Sequence, residues 1–223
     1  MKRERRFVPV EDTDIEVRVD GDDPVIEGYF ARFGKWTSIS GMFMERVKKG
    51  AFAETIKDPE DDIRGLFNHD PNMVLARQSN DTLDLSEDNK GAFMSAKPPG
   101  TQAANDVVTL VSDRYVTGQS FGFFALEDTW ETKEIDGKPI EHRTITKARL
   151  YDVGPVTFPA YQQTDVNTRS AQDVYEARMA DLNEEPSETV VDDEEREETP
   201  VMTSKANSLY LRNRHNTKGG DNS

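Results

Sequence analysis

The chain of 223 residues contains no cysteine. That excludes a disulfide framework, a thiol nucleophile and any zinc or iron–sulfur site built on Cys ligands. It also lacks a run of 18 apolar residues, and no apolar stretch follows the basic start MKRERRF. Neither a membrane span nor a secretory signal is therefore read, and a soluble intracellular protein is expected. Positive charge is in short supply: 28 Lys and Arg stand against 43 Asp and Glu, a formal net charge of -15. Such a chain is repelled by phosphate backbones, which argues against nucleic acid as a partner. Histidine is rare as well. His69, His142 and His215 are the three candidates for a catalytic imidazole.

What charge there is lies unevenly. From Glu184 to Glu198, EEPSETVVDDEEREE carries nine acidic residues against Arg196 alone. A run of that kind repels itself and buries nothing, so disorder is expected. The remainder, TPVMTSKANSLYLRNRHNTKGGDNS, turns basic and holds a short apolar knot at Leu209, Tyr210 and Leu211. It reads either as a frayed end or as a docking peptide on an acidic linker. The chain therefore divides into a folded domain over 1–183 and an acidic linker with a basic tail over 184–223.

Ahead of the tail the pattern is rich in strands and shows no internal repeat. TDIEVRVD alternates Ile15, Val17 and Val19 inward, and PVIEGYFARF follows the turn DGDDP, so the two are expected to pair as a hairpin. MERVKKGAFAETIKD has helix-like spacing through Val47, Phe52 and Ile56 and is broken by Gly50, which predicts two short turns or one kinked helix. DIRGLFNHD, MVLAR, TLDLSED and GAFMSAK read as short strands separated by turns, the pattern of a sheet-rich barrel or sandwich. One amphipathic helix interrupts them over 101–115. Thr101 is its N-cap, and Ala104, Val107, Val108, Val111 and Tyr115 form its apolar face. Three further strand candidates follow: QSFGFFALEDTW, HRTITKARLYD and VGPVTFPAY, the second entered through the turn IDGKP.

Within TGQSFGF, Ser120 sits between two glycines in an aromatic strand. A hydroxyl there can simply bond a neighbouring carbonyl, or it can be a nucleophile, which requires a positioned base. His142 follows a polar turn and reads as an exposed strand end; His215 lies in the tail. His69 ends an apolar strand inside NHDP, a turn at which a side chain can project into a cleft. Asp152 closes the strand HRTITKARLYD and is either an exposed end or a partly buried acid with a fixed partner.

The succession FMERVKKGAF, IRGLFNHDPNMVLAR, TLDLSEDNKGAFMSA, NDVVTLVSDRYVTGQSFGF and HRTITKARLYDVGPVTFPAYQQTDVNTR resembles, in order, the bacteriophage prohead maturation protease family. The blocks run from about residue 26 to 169. The resemblance implies that His69, Ser120 and Asp152 form a catalytic set with no cofactor and no metal. It also implies a mainly β (α+β) fold, an antiparallel barrel similar to the herpesvirus assemblins with a few surrounding helices. Two departures stand out: an aspartate at 152 where the family has a glutamate, and Gly154 where it has a serine. A shorter acid leaves room for a water bridge to His69, or for His142 as third member, as a second histidine serves in the assemblins.

Three classes of function follow. The resemblance implies a serine endopeptidase that cleaves the scaffold part of the major capsid protein, and itself, inside a procapsid in the host cytoplasm. Assembly of several copies is left open, and neither membrane nor nucleic acid is a partner. The alternative is a catalytically inert scaffolding protein of the same fold. A serine esterase or amidase acting on small substrates is disfavoured because no GxSxG elbow is present.

Overall fold

The computed structural model describes residues 2–21, 23–158 and 165–184, with side chains in the last segment from 170 to 183. The acidic run and basic end expected from Glu184 onward fall outside the described residues but for the backbone of Glu184, as do Pro159 to Tyr161 of the FPAY motif. Eleven strands, three α-helices and one short 3-10 helix (Gln78–Asn80) are present among the described residues.

Strands β2 (Glu16–Asp20) and β3 (Asp23–Arg32) form the expected hairpin, but Val19, expected to point inward, is exposed near the hairpin turn. With β9 (Gly91–Ala96) and β8 (Leu83–Glu87) they make a four-stranded antiparallel sheet in the order β2-β3-β9-β8. The second sheet is built on one long hairpin, β10 (Gly118–Ile135) and β11 (Lys138–Val156). The turn expected at IDGKP closes it, with Asp136 and Gly137 both at positive φ, the conformation that suits a two-residue hairpin turn. HRTITKARLYD and VGPV are thus one continuous strand rather than two. β1 (Glu4–Val8) flanks β10 at one edge, and β5 (Phe43–Val47) and β4 (Thr37–Ile39) extend the sheet beyond β11. Near its end β11 also takes up β6 (Arg64–Leu66), which pairs with β7 (Val74–Arg77).

Hydrogen bonding therefore draws two sheets with free ends among the described residues, in place of the expected closed antiparallel barrel. Nor is every pairing antiparallel, because β11 runs parallel to both β5 and β6. The core includes Phe30 of one sheet and Phe121 and Phe123 of the other, with Phe52 between, at ring-centroid spacings of 5.2–6.0 Å along the chain of contacts.

Two expectations need correction. MERV is strand β5, because Phe43, Glu45 and Val47 alternate into the interior with period two; only residues 48–57 form turns, with Gly50 at φ 89°. Helix α2 (Gln102–Ser112) forms as expected, Thr101 accepting from the Ala104 amide, yet Tyr115 lies past its end and is exposed while Val116 enters the core instead. Short α1 (Val10–Thr13) and the last described element, α3 (Asp165–Glu184), complete the set.

Candidate active site

Ser120 sits in the interior of a sheet, with Phe7 of β1 on one side and Gly154 of β11 on the other. Two positions back along β11, Asp152 pairs with Gly122. Directly opposed residues share a face and so do residues two apart, so Ser120 and Asp152 are diagonal neighbours on one face of the hairpin. Diagonal neighbours in a sheet stand about 7–8 Å apart, too far for a direct hydrogen bond between short side chains. An imidazole fits that gap.

His69 supplies it from the turn between β6 and β7. Asn68 and His69 both adopt left-handed backbone conformations, φ 53° and 57°, which turn the chain sharply after Leu66. The turn is tied to the end of β11 at three points. The Asn68 amide donates to the Pro155 carbonyl at 3.0 Å, the Thr157 amide donates to Asn68 Oδ1 at 2.9 Å, and Asn68 Nδ2 donates to Thr157 Oγ1 at 3.1 Å. Asp70 then closes the loop by accepting from the Asn72 amide at 2.8 Å. Gly154 permits the close approach, since a Cβ there would collide with the Leu66 carbonyl oxygen. The missing serine at 154 thus has a steric reason in this chain.

The outcome is a hydrogen-bonded chain of three side chains. His69 Nδ1 lies 2.8 Å from Asp152 Oδ1, and His69 Nε2 lies 2.6 Å from Ser120 Oγ. The carboxylate reaches the ring directly, with no need of a bridging water. The side chains of His69 and Asp152 are only 6% and 5% exposed, and Ser120 is 0% exposed. A carboxylate on Nδ1 holds the proton there and leaves Nε2 facing the hydroxyl, the arrangement in which an imidazole can take a proton from an attacking oxygen. Of the other histidines, His215 lies outside the described residues. His142 is buried, not exposed as expected; its Nδ1 bonds the Ile140 carbonyl at 2.9 Å and its ring meets Trp36 edge-on. The structure does not bring it to this chain of side chains. Among the described residues no group of three His, Asp or Glu side chains is placed to hold a metal ion.

Residues 13–178 match the family model described as caudovirus prohead serine protease. The chain belongs to that family. The matched span takes in His69, Ser120 and Asp152 and begins after β1. The family is one of serine proteases of phage capsid maturation. Among solved structures the chain is similar to the bacteriophage T4 capsid assembly protease gp21, at 13% identity and a TM-score of 0.39, over 69% of this chain and 98% of that one. No curated protein matches it. Among the described residues no helix is long and apolar enough to cross a membrane.

Sequence reasoning passed over several residues around the site. Phe7 places its ring edge-on to His69, with centroids 6.4 Å apart, and the Arg6 carbonyl accepts from Ser120 Oγ at 2.9 Å. Neither has a signal in the motif, because both lie more than 50 residues away in the chain. Asn68 was legible only as a turn former.

Proposed function

We propose that the protein is a prohead-maturation endopeptidase with Ser120 as nucleophile, His69 as general base and then acid, and Asp152 as the residue that fixes the imidazole tautomer. Attack of Oγ on a peptide carbonyl passes the hydroxyl proton to His69 Nε2. Collapse of the tetrahedral adduct returns that proton to the leaving amine, and water then releases the acyl group by the same route in reverse. Asp152 stabilises the imidazolium formed between those steps. The observation that carries this reading is the contact chain from Ser120 through His69 to Asp152 at 2.6 and 2.8 Å. Family membership supports the substrate: the scaffold portion of the major capsid protein, cut inside the procapsid in the host cytoplasm, with removal of the enzyme's own tail as a second cut. The likeness to the assemblin barrel belongs to the same reading.

One observation favours the inert alternative, namely the complete burial of Ser120. A fluorophosphonate probe decides between them. Under the proposal the intact chain gains one probe mass, Ser120→Ala gains none, and co-expression with the capsid protein yields shortened scaffold only with the unsubstituted enzyme. A chain that neither takes the probe nor cuts scaffold is a structural relative.

A further inference from the structure

A nucleophile must come within about 3 Å of the carbonyl that it attacks, in a geometry that leaves room for the substrate. Ser120 offers no such room, being 0% exposed. Its strand has β11 on one side, inside the sheet, and β1 on the other, at the edge. β1 covers the site closely: Phe7 pairs with Ser120, packs against His69, and follows the residue whose carbonyl accepts the serine hydroxyl. A hydroxyl has one proton. While Ser120 donates it to the Arg6 carbonyl, that proton is not offered to His69 Nε2, and the imidazole cannot take it. The cavity beside β1 is walled by Arg6, Phe7 and Val8 but not by His69, Ser120 or Asp152.

We propose that β1 is a gate seated in the substrate's place. The β10 edge that it covers, from Gln119 to Phe123, is the binding site for an extended polypeptide segment, which adds to the sheet as a strand once β1 withdraws. The proposal rests on the assignment of Ser120 as nucleophile. Strand addition satisfies the backbone groups of the β10 edge just as β1 does, so exchange of one for the other leaves the ladder intact.

The charge pattern under β1 suits withdrawal. Glu4 and Arg6 form a buried cluster with Glu45 of β5 and Arg143 of β11: Arg6 bonds Glu4 at 2.6 Å and Glu45 at 2.5 Å, and Arg143 bonds Glu4 at 2.7 Å and Glu45 at 3.0 Å. β1 contributes one acid and one base. When it leaves it removes both, and Glu45 keeps Arg143, which also holds Asp128 at 2.6 Å. Departure thus leaves no buried charge without a partner, the situation that otherwise penalises breaking such a cluster most. Beyond β10 and that cluster, the start of β1 is held by the exposed pair Lys2–Asp173 at 3.1 Å, by the Tyr151 and Ser170 hydroxyls donating to the Glu4 and Arg3 carbonyls at 3.3 and 3.5 Å, and by Arg3 over the Tyr151 ring, contacts that withdrawal must break.

The absence of cysteine makes the test simple. Val8 and Gln119 are directly paired across β1 and β10, and the Gln119 side-chain amide has no hydrogen-bond partner among the described residues. The double variant Val8→Cys, Gln119→Cys in the full chain should form a cross-strand disulfide on oxidation. In labelling, Oγ bonds phosphorus, fluoride leaves and the hydroxyl proton passes to His69. Oxidation is expected to slow fluorophosphonate labelling about tenfold or more, because the open population falls, and reduction to restore it. Equal rates in both states overturn the gate alone; no labelling in either state overturns the nucleophile and the gate together. Should the double variant fail to fold, hydrogen exchange on the unsubstituted chain decides instead. After labelling, the Arg5 to Val8 amides lose protection while those of Val153 to Val156 keep it; protection retained in β1 overturns the proposal.

Discussion

Asp152 lies directly across the β10–β11 ladder from Gly122, and a methyl group at 122 would stand 2.5 Å from its carboxylate oxygen. The glycine is the space in which the acid sits. Gly122→Ala is therefore expected to push Asp152 off His69 and to cut labelling and proteolysis by about 100-fold, the scale of a misplacement near 1 Å. Overpacking of the Tyr151 ring beside it should cost about 1–3 kcal/mol in denaturant unfolding. Full activity in a stably folded Gly122→Ala would show that the contact with Asp152 does not matter.

Ser120→Ala and His69→Ala are each expected to abolish scaffold processing while retaining a cooperative thermal transition. Members of one catalytic unit act together, so the double variant should be no slower than either single. Asp152→Asn presents the imidazole with a donor in place of an acceptor, and a loss of about 10⁴-fold in kcat is expected from the wrong tautomer. His142→Ala, by contrast, should leave the labelling rate within a few-fold, since its partners are Ile140 and Trp36. If His142→Ala is the more damaging of the two, the role given to Asp152 is wrong.

Asn68 holds the His69 turn to β11 through Thr157 without touching either reacting group. Asn68→Ala should lower kcat about 10- to 100-fold with little change in KM, because only the position of the imidazole suffers. Asn68→Asp still accepts from the Thr157 amide and should recover part of the loss. A large rise in KM with kcat unchanged would point to substrate contact instead.

Although burial works to raise it, the Glu45 carboxyl is held below the ordinary glutamate range by the charges and hydrogen bonds of Arg6 and Arg143. A depressed pKa contributes stability that is fully present above the unfolded value, about 4.3, and is lost as pH falls through the lower folded value. At pH 7 Glu45→Gln should destabilise the domain by about 3–5 kcal/mol, the usual cost of breaking a buried pair. The gap between the two proteins should narrow as urea titrations are carried from pH 7 toward pH 3. A gap that stays constant would show that Glu45 does not titrate with folding.

Composition alone bears on the tail, where the acidic run beginning at Glu184 gives way to the less charged TPVMTSKANSLYL. Self-removal is expected between about Glu184 and Leu209, where the stretch after the acidic run carries less charge to desolvate in a cleft. Intact-mass measurement should show a shortened chain that Ser120→Ala does not produce. A stable 25.2 kDa species that still digests scaffold would rule the cut out.

By itself the sequence determined the local elements. Period-two alternation marked β2, turn signals set off β3, β8 and β9, a capping threonine opened α2, and Asp-Gly closed the long hairpin, because each of these is written in neighbouring residues. Ordered blocks with NHD and SFGF named His69, Ser120 and Asp152 through resemblance, although residues 51 and 83 positions from His69 cannot show contact by spacing. Tertiary structure alone decided the rest. β1 escaped notice because its buried face is Glu4, Arg6 and Val8, and charges become interior residues only when Glu45 and Arg143 meet them from elsewhere in the chain. β5 looked helical until parallel pairing with β11 gave its alternation a partner. The direct reach of Asp152 to His69, the burial of His142 and the covering of Ser120 depend on strand register, which pairs residues far apart in the chain and leaves no trace in local sequence.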